Sequence, residues 1–234
     1  MAGRPRSPRA QALSRAGIVR AAVELADVDG LGAVSMRSVA RSLDVEAMSL
    51  YNHVRNKEDM LDGMVDLVFS EFHSPAPGAD WVAQMRERSR SGRRAMARHP
   101  WAIGLMDSRR NSGPQTLRHH DAVLGCLRSA GFSLSLTGHA FAVLDAHLYG
   151  FVVQEQSLAF DGSEDLAELG SQMLERLPAD ELPHLREFTL EHALRPGYDF
   201  GDEFDHGLDL ILDGLARLLR GATPEESAQP STEI

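Results

Sequence analysis

The stretch Ser35–Lys57 limits the possible folds of this chain more than any other part of the sequence. It begins with four apolar residues at the spacing i, i+3, i+4 and i+7, which form one face of a helix: Met36, Val39, Ala40 and Leu43. Ser35 directly precedes this run, and its hydroxyl is well suited to cap the helix N-terminus. After a two-residue break, a second short helical pattern places Leu50 and Val54 on one face.

Two helices this short are not stable alone, so they must pack against a third helix. Residues 13–27 supply it, because apolar residues recur there at helical spacing, namely Ile18, Ala22, Leu25 and Ala26. Two short helices joined by a tight turn and supported by a third form a helix-turn-helix, whose second helix enters the major groove of DNA. The stretch therefore predicts a DNA-binding module.

The distribution of charge agrees with a DNA-binding end. The whole chain has a formal net charge of −10, which by itself argues against a nucleic-acid partner. Residues 1–60, however, carry +2 and the remainder −12, and residues 1–20 hold five arginines and no acidic residue. A basic end on an acidic body is typical of a DNA-binding module joined to a domain with another task. Residues 1–12 are predicted to be a mobile basic arm, which either enters a minor groove or only aids solubility.

The rest of the chain is predicted to be helical. Hydrophobic residues make up 43% of the sequence, enough for a sizeable core, and strand-type alternation with hairpin signals is lacking in the sequence. Apolar spacing predicts a linking helix over residues 57–72 and then helices over residues 80–99, 115–130, 133–157, 163–177 and 204–220, with shorter turns over residues 101–106 and 184–194. The predicted fold class is all-α, a three-helix N-terminal domain joined by a long helix to a larger helical domain.

A Pro/Gly-rich stretch, His73–Ala79, is the predicted domain boundary. It separates a helix-turn-helix domain over residues 13–72, with the motif itself at about 35–54, from a ligand-binding and dimerisation domain over residues 80–220. The polar tail over residues 221–234 is predicted to be disordered.

Cysteine content and hydropathy predict a cytoplasmic protein. Cys126 is the only cysteine, so a reducing compartment is expected. The basic N-terminus is not followed by an apolar run, and no window approaches about 18 uninterrupted apolar residues, so neither a secretory signal nor a membrane span is predicted.

From about Ser14 to Phe72 the sequence resembles the N-terminal domain of the tetracycline-repressor (TetR) family of bacterial regulators. The residues that carry the resemblance occur in the family's order and spacing: Ala21–Leu25, Gly30, Ser35–Ala40, Val45 and Leu50–Lys57. A weaker likeness to the tetracycline repressor's own C-terminal subgroup lies at Ala130–Ser133 and Gly150–Gln156. Family members usually have glycine where this chain has Asp44, an aspartate that tolerates the left-handed backbone of the turn at some cost.

The resemblance implies ten DNA-contacting positions in and around a recognition helix at about residues 47–53: Ser35, Arg37, Glu46, Ala47, Met48, Ser49, Tyr51, Asn52, His53 and Lys57. Arg37 can bind a guanine edge or a phosphate, and Lys57 matches a phosphate contact at a helix N-terminus. Ala47 and Met48 offer only apolar contact, for instance to a thymine methyl, where the tetracycline repressor has a polar amide at the position of Ala47. A different operator sequence is therefore expected.

The resemblance also implies an effector cavity in the helical body, lined by Phe69, His73, Met106, Leu124, Phe141, Leu144, His147 and Phe151. His73 falls where the tetracycline repressor contacts its drug. His147 lies in an apolar stripe and is either a core histidine with a satisfied hydrogen bond or a polar group in a pocket. These residues favour a largely apolar effector with one or two polar anchors. No histidine pair has the i, i+4 spacing with a carboxylate of a zinc-hydrolase helix, so no metal or cofactor is predicted.

Together these features predict a ligand-responsive transcription regulator, most simply a repressor that binds a palindromic double-stranded DNA operator as a homodimer and is released by a small molecule. The apolar stripes over residues 136–151 and 204–219 are the predicted contact between subunits. One alternative is an all-α enzyme, but the sequence has no nucleophile motif, metal motif or phosphate-binding loop. The other is a ligand-independent DNA-architectural protein, against which the acidic body argues.

Overall fold

The computed structural model describes residues 13–108, 113–158 and 182–221. Within these ranges the regular structure is helical and contains no strand, which confirms the predicted all-α class. The basic arm, the helix predicted over residues 163–177 and the tail beyond residue 221 lie outside the described residues.

The first four helices follow the sequence patterns closely. They are α1 (Arg15–Asp29), α2 (Met36–Ser42), α3 (Ala47–Leu50) and α4 (Lys57–Phe69), with a 3₁₀ turn at Leu31–Ala33. Ser35 caps α2 as predicted, because its Oγ accepts a hydrogen bond from the Ser38 amide at 3.1 Å while Ser38 Oγ accepts from the Ser35 amide at 2.8 Å. This reciprocal capping box fixes where α2 begins.

Two of these helices are shorter than predicted. After α3 the chain continues to His53 through backbone hydrogen bonds between residues three apart. These 3₁₀-type bonds satisfy the carbonyl groups at the end of α3. Helix α4 ends at Phe69 instead of Phe72. The Ser70 hydroxyl donates to the Leu67 carbonyl at 2.6 Å, a local bond that competes with helix continuation.

The turn between α2 and α3 contains the predicted left-handed residue. Asp44 has a φ of 54°, a conformation that non-glycine residues adopt at a cost. The turn is closed by the Val45 amide, which donates to the Ala40 carbonyl at 3.0 Å. The departure from the family's glycine is therefore accommodated within a closed turn.

Three further helices follow the Pro/Gly-rich stretch: α5 (Trp81–Arg98), α6 (Ala102–Ser108) and α7 (Pro114–Ser129). Asp80 caps α5 as predicted, accepting from the Val82 amide at 3.1 Å. Pro114 occupies the first position of α7, where its missing N–H costs nothing. The chain leaves α7 through Gly131 at a φ of 96°.

The described chain forms two compact units, which divide between Ala142 and Val143. In the first unit α4 is the central helix, since it packs against α1, α5, α6 and α7. Gly63 allows α4 to approach α1 closely, because a Cβ there would lie 2.7 Å from a Val19 methyl. Because α4 packs against α1 as well as against the helices after residues 73–79, the domain boundary predicted there stays a prediction.

The second unit contains the C-terminal part of α8 (Leu134–Ser157), α9 (Pro183–Phe188), which continues as a π-helical turn at Thr189–Ala193, and α10 (Glu203–Gly221). Its core is apolar and comes from the predicted stripes: Leu144, Leu148, Val152, Phe204, Leu208, Leu212 and Leu215. Several large apolar side chains of the same helices remain exposed in the single chain, namely Val153, Leu210 and Leu218.

By length and composition alone, α8 would suffice to cross a membrane, with a mean hydropathy of 1.2 over its most apolar window. The core helix of a soluble protein passes the same test. The helix also carries two acidic residues, Asp145 and Glu155, and two histidines within its length, so this is weak support for a membrane span.

Candidate nucleic-acid interface and effector site

The predicted DNA-contacting residues run from the start of α2 through α3 to the start of α4, and their exposed side chains are defined here as the recognition surface. Leu50 and Val54 are fully buried beneath it and anchor the short helix to the core of the unit. Met48 is 75% exposed and Tyr51 47% exposed. Most of the other predicted positions are also exposed, namely Arg37, Glu46, Asn52, His53 and Lys57, whereas Ala47 and Ser49 are half-buried.

Arg41 is a cation of this surface that the sequence interpretation missed. It is exposed and borders one groove together with Arg37, Asp44 and Glu46. Helical spacing could have found it, since Arg41 follows Arg37 by four residues and therefore lies on the same face of α2.

Ser35 differs from the other predicted contacts. Its hydroxyl accepts from the Ser38 amide and lies 2.9 Å from Ser38 Oγ, and the residue is half-buried. Its side chain therefore serves the start of α2, and contact with DNA stays a prediction.

The N-terminus of α4 is tied to α1. Asn56 Oδ1 accepts from the Asp59 amide at 2.8 Å, and Asp59 reaches back to accept from the Arg55 amide at 2.9 Å. Asp59 also pairs with Arg15 of α1 at 3.1 Å. Burial alone would raise the pKa of Asp59, but the hydrogen bonds from Arg55 and Arg15 and their positive charges outweigh it and hold the pKa below its ordinary value.

Further along α4, Asp66 joins this helix to α7. Its Oδ1 accepts from the Gln115 amide at 2.8 Å, from the Thr116 amide at 2.9 Å and from Thr116 Oγ1 at 3.1 Å. A carboxylate at a helix N-terminus satisfies free amides and complements the helix dipole. Gly113 makes room for it, because a Cβ there would overlap the Asp66 carboxylate. We call this contact the Asp66 latch.

A second junction holds the ends of α1, α4 and α5 together. His99 Nδ1 lies 2.7 Å from Asp27 Oδ1 and its Nε2 lies 3.2 Å from Glu71 Oε1. The Trp101 indole N–H also donates to Asp27 Oδ1 at 2.7 Å, and Arg98 pairs with Glu71. Burial alone would raise the pKa of Glu71, but the bonds from Arg98 and His99 outweigh it and lower the pKa.

Two of the predicted effector residues, Phe69 and Phe141, belong to a group of five rings in the first unit, defined here as the ring cluster: Phe69, Phe72, His119, His120 and Phe141. Its rings follow one another in contact, with centroids 5.0 Å apart for Phe69 and Phe72, 5.3 Å for Phe72 and His119, 5.6 Å for Phe69 and His120, and 5.4 Å for His120 and Phe141. These pairs are tilted or edge-to-face, the arrangements that aromatic rings prefer to a face-to-face sandwich.

Other predicted effector residues of the first unit have different surroundings. His73 Nε2 lies 2.9 Å from Gln84 Oε1, and the His73 amide donates to Ser91 Oγ at 2.7 Å. Met106 is half-buried. Leu124 is 39% exposed, and an effector contact by Met106 or Leu124 stays a prediction.

Beside the ring cluster lies a buried polar pair that the sequence interpretation missed. Arg88 is fully buried, and its Nε donates to His119 Nε2 at 3.2 Å. The pKa of His119 is lowered to about 3. Burial is the largest cause, and the charges of Arg88, His120 and His73 contribute less. Helical spacing could have found Arg88, since it is three residues after Met85 and eight before Met96, on the apolar face of α5.

Of the predicted effector residues of the second unit, Leu144 and Phe151 are buried and His147 is half-buried. His147 Nε2 lies 3.0 Å from the Phe204 carbonyl oxygen. The His147 and Phe204 rings stack at 5.1 Å, and Phe151 stacks on Phe200 at 4.8 Å. Of the two interpretations of His147, this arrangement favours the satisfied core histidine. An effector contact by Leu144, His147 or Phe151 stays a prediction.

Comparisons with known proteins agree on one family. A model described as "Bacterial regulatory proteins, tetR family" matches residues 18–64, and one described as "Tetracyclin repressor-like, C-terminal domain" matches residues 74–219. The chain is 33% identical to an HTH-type transcriptional regulator of Saccharopolyspora erythraea, over 87% of this chain and 85% of the relative. It is 32% identical to the HTH-type transcriptional repressor DrrR1 of Streptomyces coeruleorubidus, over 86% and 77%. The TetR family protein ActR of Streptomyces coelicolor, solved in complex with actinorhodin, is similar with a TM-score of 0.74 at 27% identity, over 89% of this chain and 99% of ActR.

Proposed function

The chain belongs to the tetracycline-repressor family of bacterial regulators, and from this premise we propose that it represses transcription as a homodimer on a palindromic operator and is released by a small molecule. The membership makes it a ligand-responsive DNA-binding transcription regulator and not an enzyme. Repression, the palindrome, the homodimer and a cytoplasmic location belong to the proposal.

The observation that carries the proposal is the contrast between the two faces of α3. Leu50 is fully buried while Met48, two residues before it, is 75% exposed. At the start of α3, the exposed Met48 side chain is placed to offer an apolar contact to a thymine methyl in the major groove. Arg37 and Arg41 flank this face and can bind guanine edges or phosphates. Lys57 is exposed at the N-terminus of α4, where free amides add to a phosphate contact.

Exposed apolar side chains in the second unit support the homodimer. Leu210 is 61% exposed and Leu218 58% exposed on α10, and Val153 is 52% exposed on α8. Helices with such faces are suited to an isologous bundle between two subunits. The dimer would place two recognition surfaces on half-sites separated by one helical turn of DNA, about 34–36 Å, or a multiple of it.

The contacts of α4 support a route from effector to DNA. Helix α4 is tied to α1 by Arg15 and Asp59 and to α7 by the Asp66 latch, and Phe69 in its last turn is part of the ring cluster. An effector that displaced these rings would therefore move α4, and α1 and α2 with it. Coupling between such sites is typically about 1–3 kcal/mol, or 5- to 150-fold in affinity.

The proposal is tested by fluorescence anisotropy with a labelled duplex from the DNA upstream of the chain's own gene. We expect salt-sensitive binding that falls about tenfold or more in Arg37→Ala and in Tyr51→Ala. Arg118→Ala, an exposed arginine on α7, is the matched control and should bind as the parent protein does. Equal binding by all four proteins would contradict the assigned recognition surface.

A further inference from the structure

The buried pair Arg88–His119 defines a polar site within otherwise apolar packing. Both side chains are almost inaccessible, with exposed fractions of 0% for Arg88 and 3% for His119. On α5, Met85 and Met96 are buried on the same face as Arg88. Burying a guanidinium is costly, since charged groups lose far more hydration than they regain from apolar neighbours. A position that bears this cost is a candidate for a functional role.

The hydrogen bond between the two side chains fixes the state of the imidazole. An arginine Nε can only donate, so His119 Nε2 accepts and carries no proton. With its pKa lowered to about 3, the imidazole is neutral at physiological pH and must carry its proton on Nδ1. His119 therefore presents an N–H donor at Nδ1.

This donor has no hydrogen-bond partner in the part of the chain that the structure describes. Buried donors without a partner are rare, because the lost hydration costs about 1–3 kcal/mol each. The other ring nitrogen, Nε2, already accepts a hydrogen bond from the buried Arg88, so the orientation of the ring is fixed. Together these observations indicate that an acceptor for His119 Nδ1 arrives from outside the described residues.

The surroundings of His119 indicate the shape of the molecule that brings the acceptor. The centroid of its ring lies 5.7 Å from that of Phe69 and 5.3 Å from that of Phe72. The neighbouring His120 ring in turn contacts Phe141. Flat side chains around a polar group are suited to a flat, apolar ligand with one polar end. The guanidinium of Arg88 adds a positive charge beside that polar end, which favours an acceptor that is itself negative.

We propose that the Arg88–His119 pair is the polar anchor of the effector site and selects an aromatic acid, whose ionised oxygen accepts a hydrogen bond from His119 Nδ1. This inference rests on the proposed function, because it assigns the chemical class of the molecule that relieves DNA binding. It goes beyond the positions found from the sequence, which include neither residue of the pair.

The test uses two probes of the same ring framework, 2-naphthoate and the uncharged 2-acetylnaphthalene, titrated into the full chain by calorimetry without DNA. We expect 2-naphthoate to bind about tenfold more tightly, since hydrogen bonds to charged groups are stronger than neutral ones. His119→Phe keeps an aromatic ring but has no donor, and should weaken 2-naphthoate by about tenfold or more. His139→Phe, at an exposed histidine of α8, is the matched control and should leave both affinities unchanged.

Arg88→Met and Arg88→Lys separate charge from packing. The methionine variant should lose the preference for 2-naphthoate and the lysine variant should retain part of it, while circular dichroism confirms that each is folded. If either fails to fold, the result with His119→Phe decides. No binding of 2-naphthoate at millimolar concentration, equal affinity for the two probes, or full affinity in His119→Phe would each overturn the inference.

Operator binding by the same preparations keeps the two proposals apart. A protein that binds operator but shows no preference for 2-naphthoate contradicts the anchor and leaves the regulator proposal standing. A protein that prefers 2-naphthoate but binds no operator contradicts the regulator proposal, because the probe titrations contain no DNA. An ordered water as the sole partner of His119 Nδ1 in a crystal grown with 2-naphthoate would also overturn the anchor.

Discussion

Charged side chains are exposed on the recognition surface but buried beside the ring cluster. On the recognition surface Arg37, Arg41 and Lys57 are exposed, so they keep their hydration in the free protein. Beside the ring cluster Arg88 is held at 0% exposure next to a neutral histidine. The first region can change its side chains at almost no cost to folding, whereas in the second the arginine is packed and hydrogen-bonded, so its removal should destabilise the fold. Substitutions in the two regions should therefore separate DNA affinity from stability.

The largest effect is expected for Arg88→Ala. Removing this fully buried side chain leaves a cavity and an unsatisfied His119 Nε2, so the free energy of unfolding should fall by about 3–5 kcal/mol. Arg37→Ala, on the exposed surface, should change it by less than about 0.5 kcal/mol. Urea denaturation followed by circular dichroism measures both. Equal losses in the two variants would contradict the contrast between the regions.

A smaller effect is expected at the Asp66 latch, which joins the two regions through α4. Gly113→Ala should cost about 1–3 kcal/mol, because its Cβ would overlap Asp66 and force the carboxylate away from the α7 amides. Gly125→Ala is the control in α7, since its Cβ would meet only Pro77 at 3.6 Å. Thermal unfolding compares the pair, and a Gly113→Ala protein as stable as its parent would show that the latch is not formed.

The stability of the protein should depend on pH through His119. Since the folded-state pKa of His119 lies at about 3 and its unfolded value near 6.5, the unfolded chain binds the extra proton between these two values. The contribution of His119 to stability is therefore fully present above about pH 6.5 and is lost as the pH falls toward 3. From pH 6.5 to pH 5 this amounts to about 2 kcal/mol.

His119→Phe isolates this contribution, because other groups titrate alike in both proteins. Urea denaturation at the two pH values should show a loss about 2 kcal/mol larger in the parent protein than in the variant. Parallel losses would mean that His119 takes up its proton normally in the folded state.

The smallest effect on stability is expected at Asp44, in the turn between α2 and α3. Glycine adopts a φ of 54° without strain, so Asp44→Gly should raise the free energy of unfolding by about 1 kcal/mol. Asparagine tolerates the same conformation about as well as aspartate, so Asp44→Asn should bring no gain. Differential scanning calorimetry distinguishes the two, and a destabilised Asp44→Gly protein would show that the aspartate side chain itself supports the turn.

The recognition surface could be predicted from the sequence because it is local. Ser35, Asp44 and Asn56 act within a few residues of themselves as caps or turn formers, and the apolar spacing around Leu50 decides which face of α3 is buried. Only helix lengths differed, because tight turns satisfied the end groups where helical bonds were expected. Arg41 could also have been predicted, since it follows Arg37 by one helical turn.

The candidate effector site was predicted less fully because its parts are distant in the sequence. Phe69, Arg88 and His119 lie on α4, α5 and α7, and the bond between Arg88 and His119 joins residues 31 positions apart. Spacing along α5 can place Arg88 on a buried face, but it cannot show which residue of another helix faces it. For the same reason the Asp66 latch and the bridge of His99 between Asp27 and Glu71 became visible only in three dimensions.

The separation of DNA binding and effector binding into two regions joined by α4 is proposed here. It is tested most directly by anisotropy of labelled upstream DNA, titrated with 2-naphthoate, for the parent protein, Arg37→Ala and His119→Phe. We expect 2-naphthoate to release the parent protein from DNA, Arg37→Ala to lose DNA but still bind the probe by calorimetry, and His119→Phe to hold DNA that 2-naphthoate no longer releases. Release from His119→Phe at the same probe concentration as from the parent, or loss of probe binding in Arg37→Ala, would contradict it.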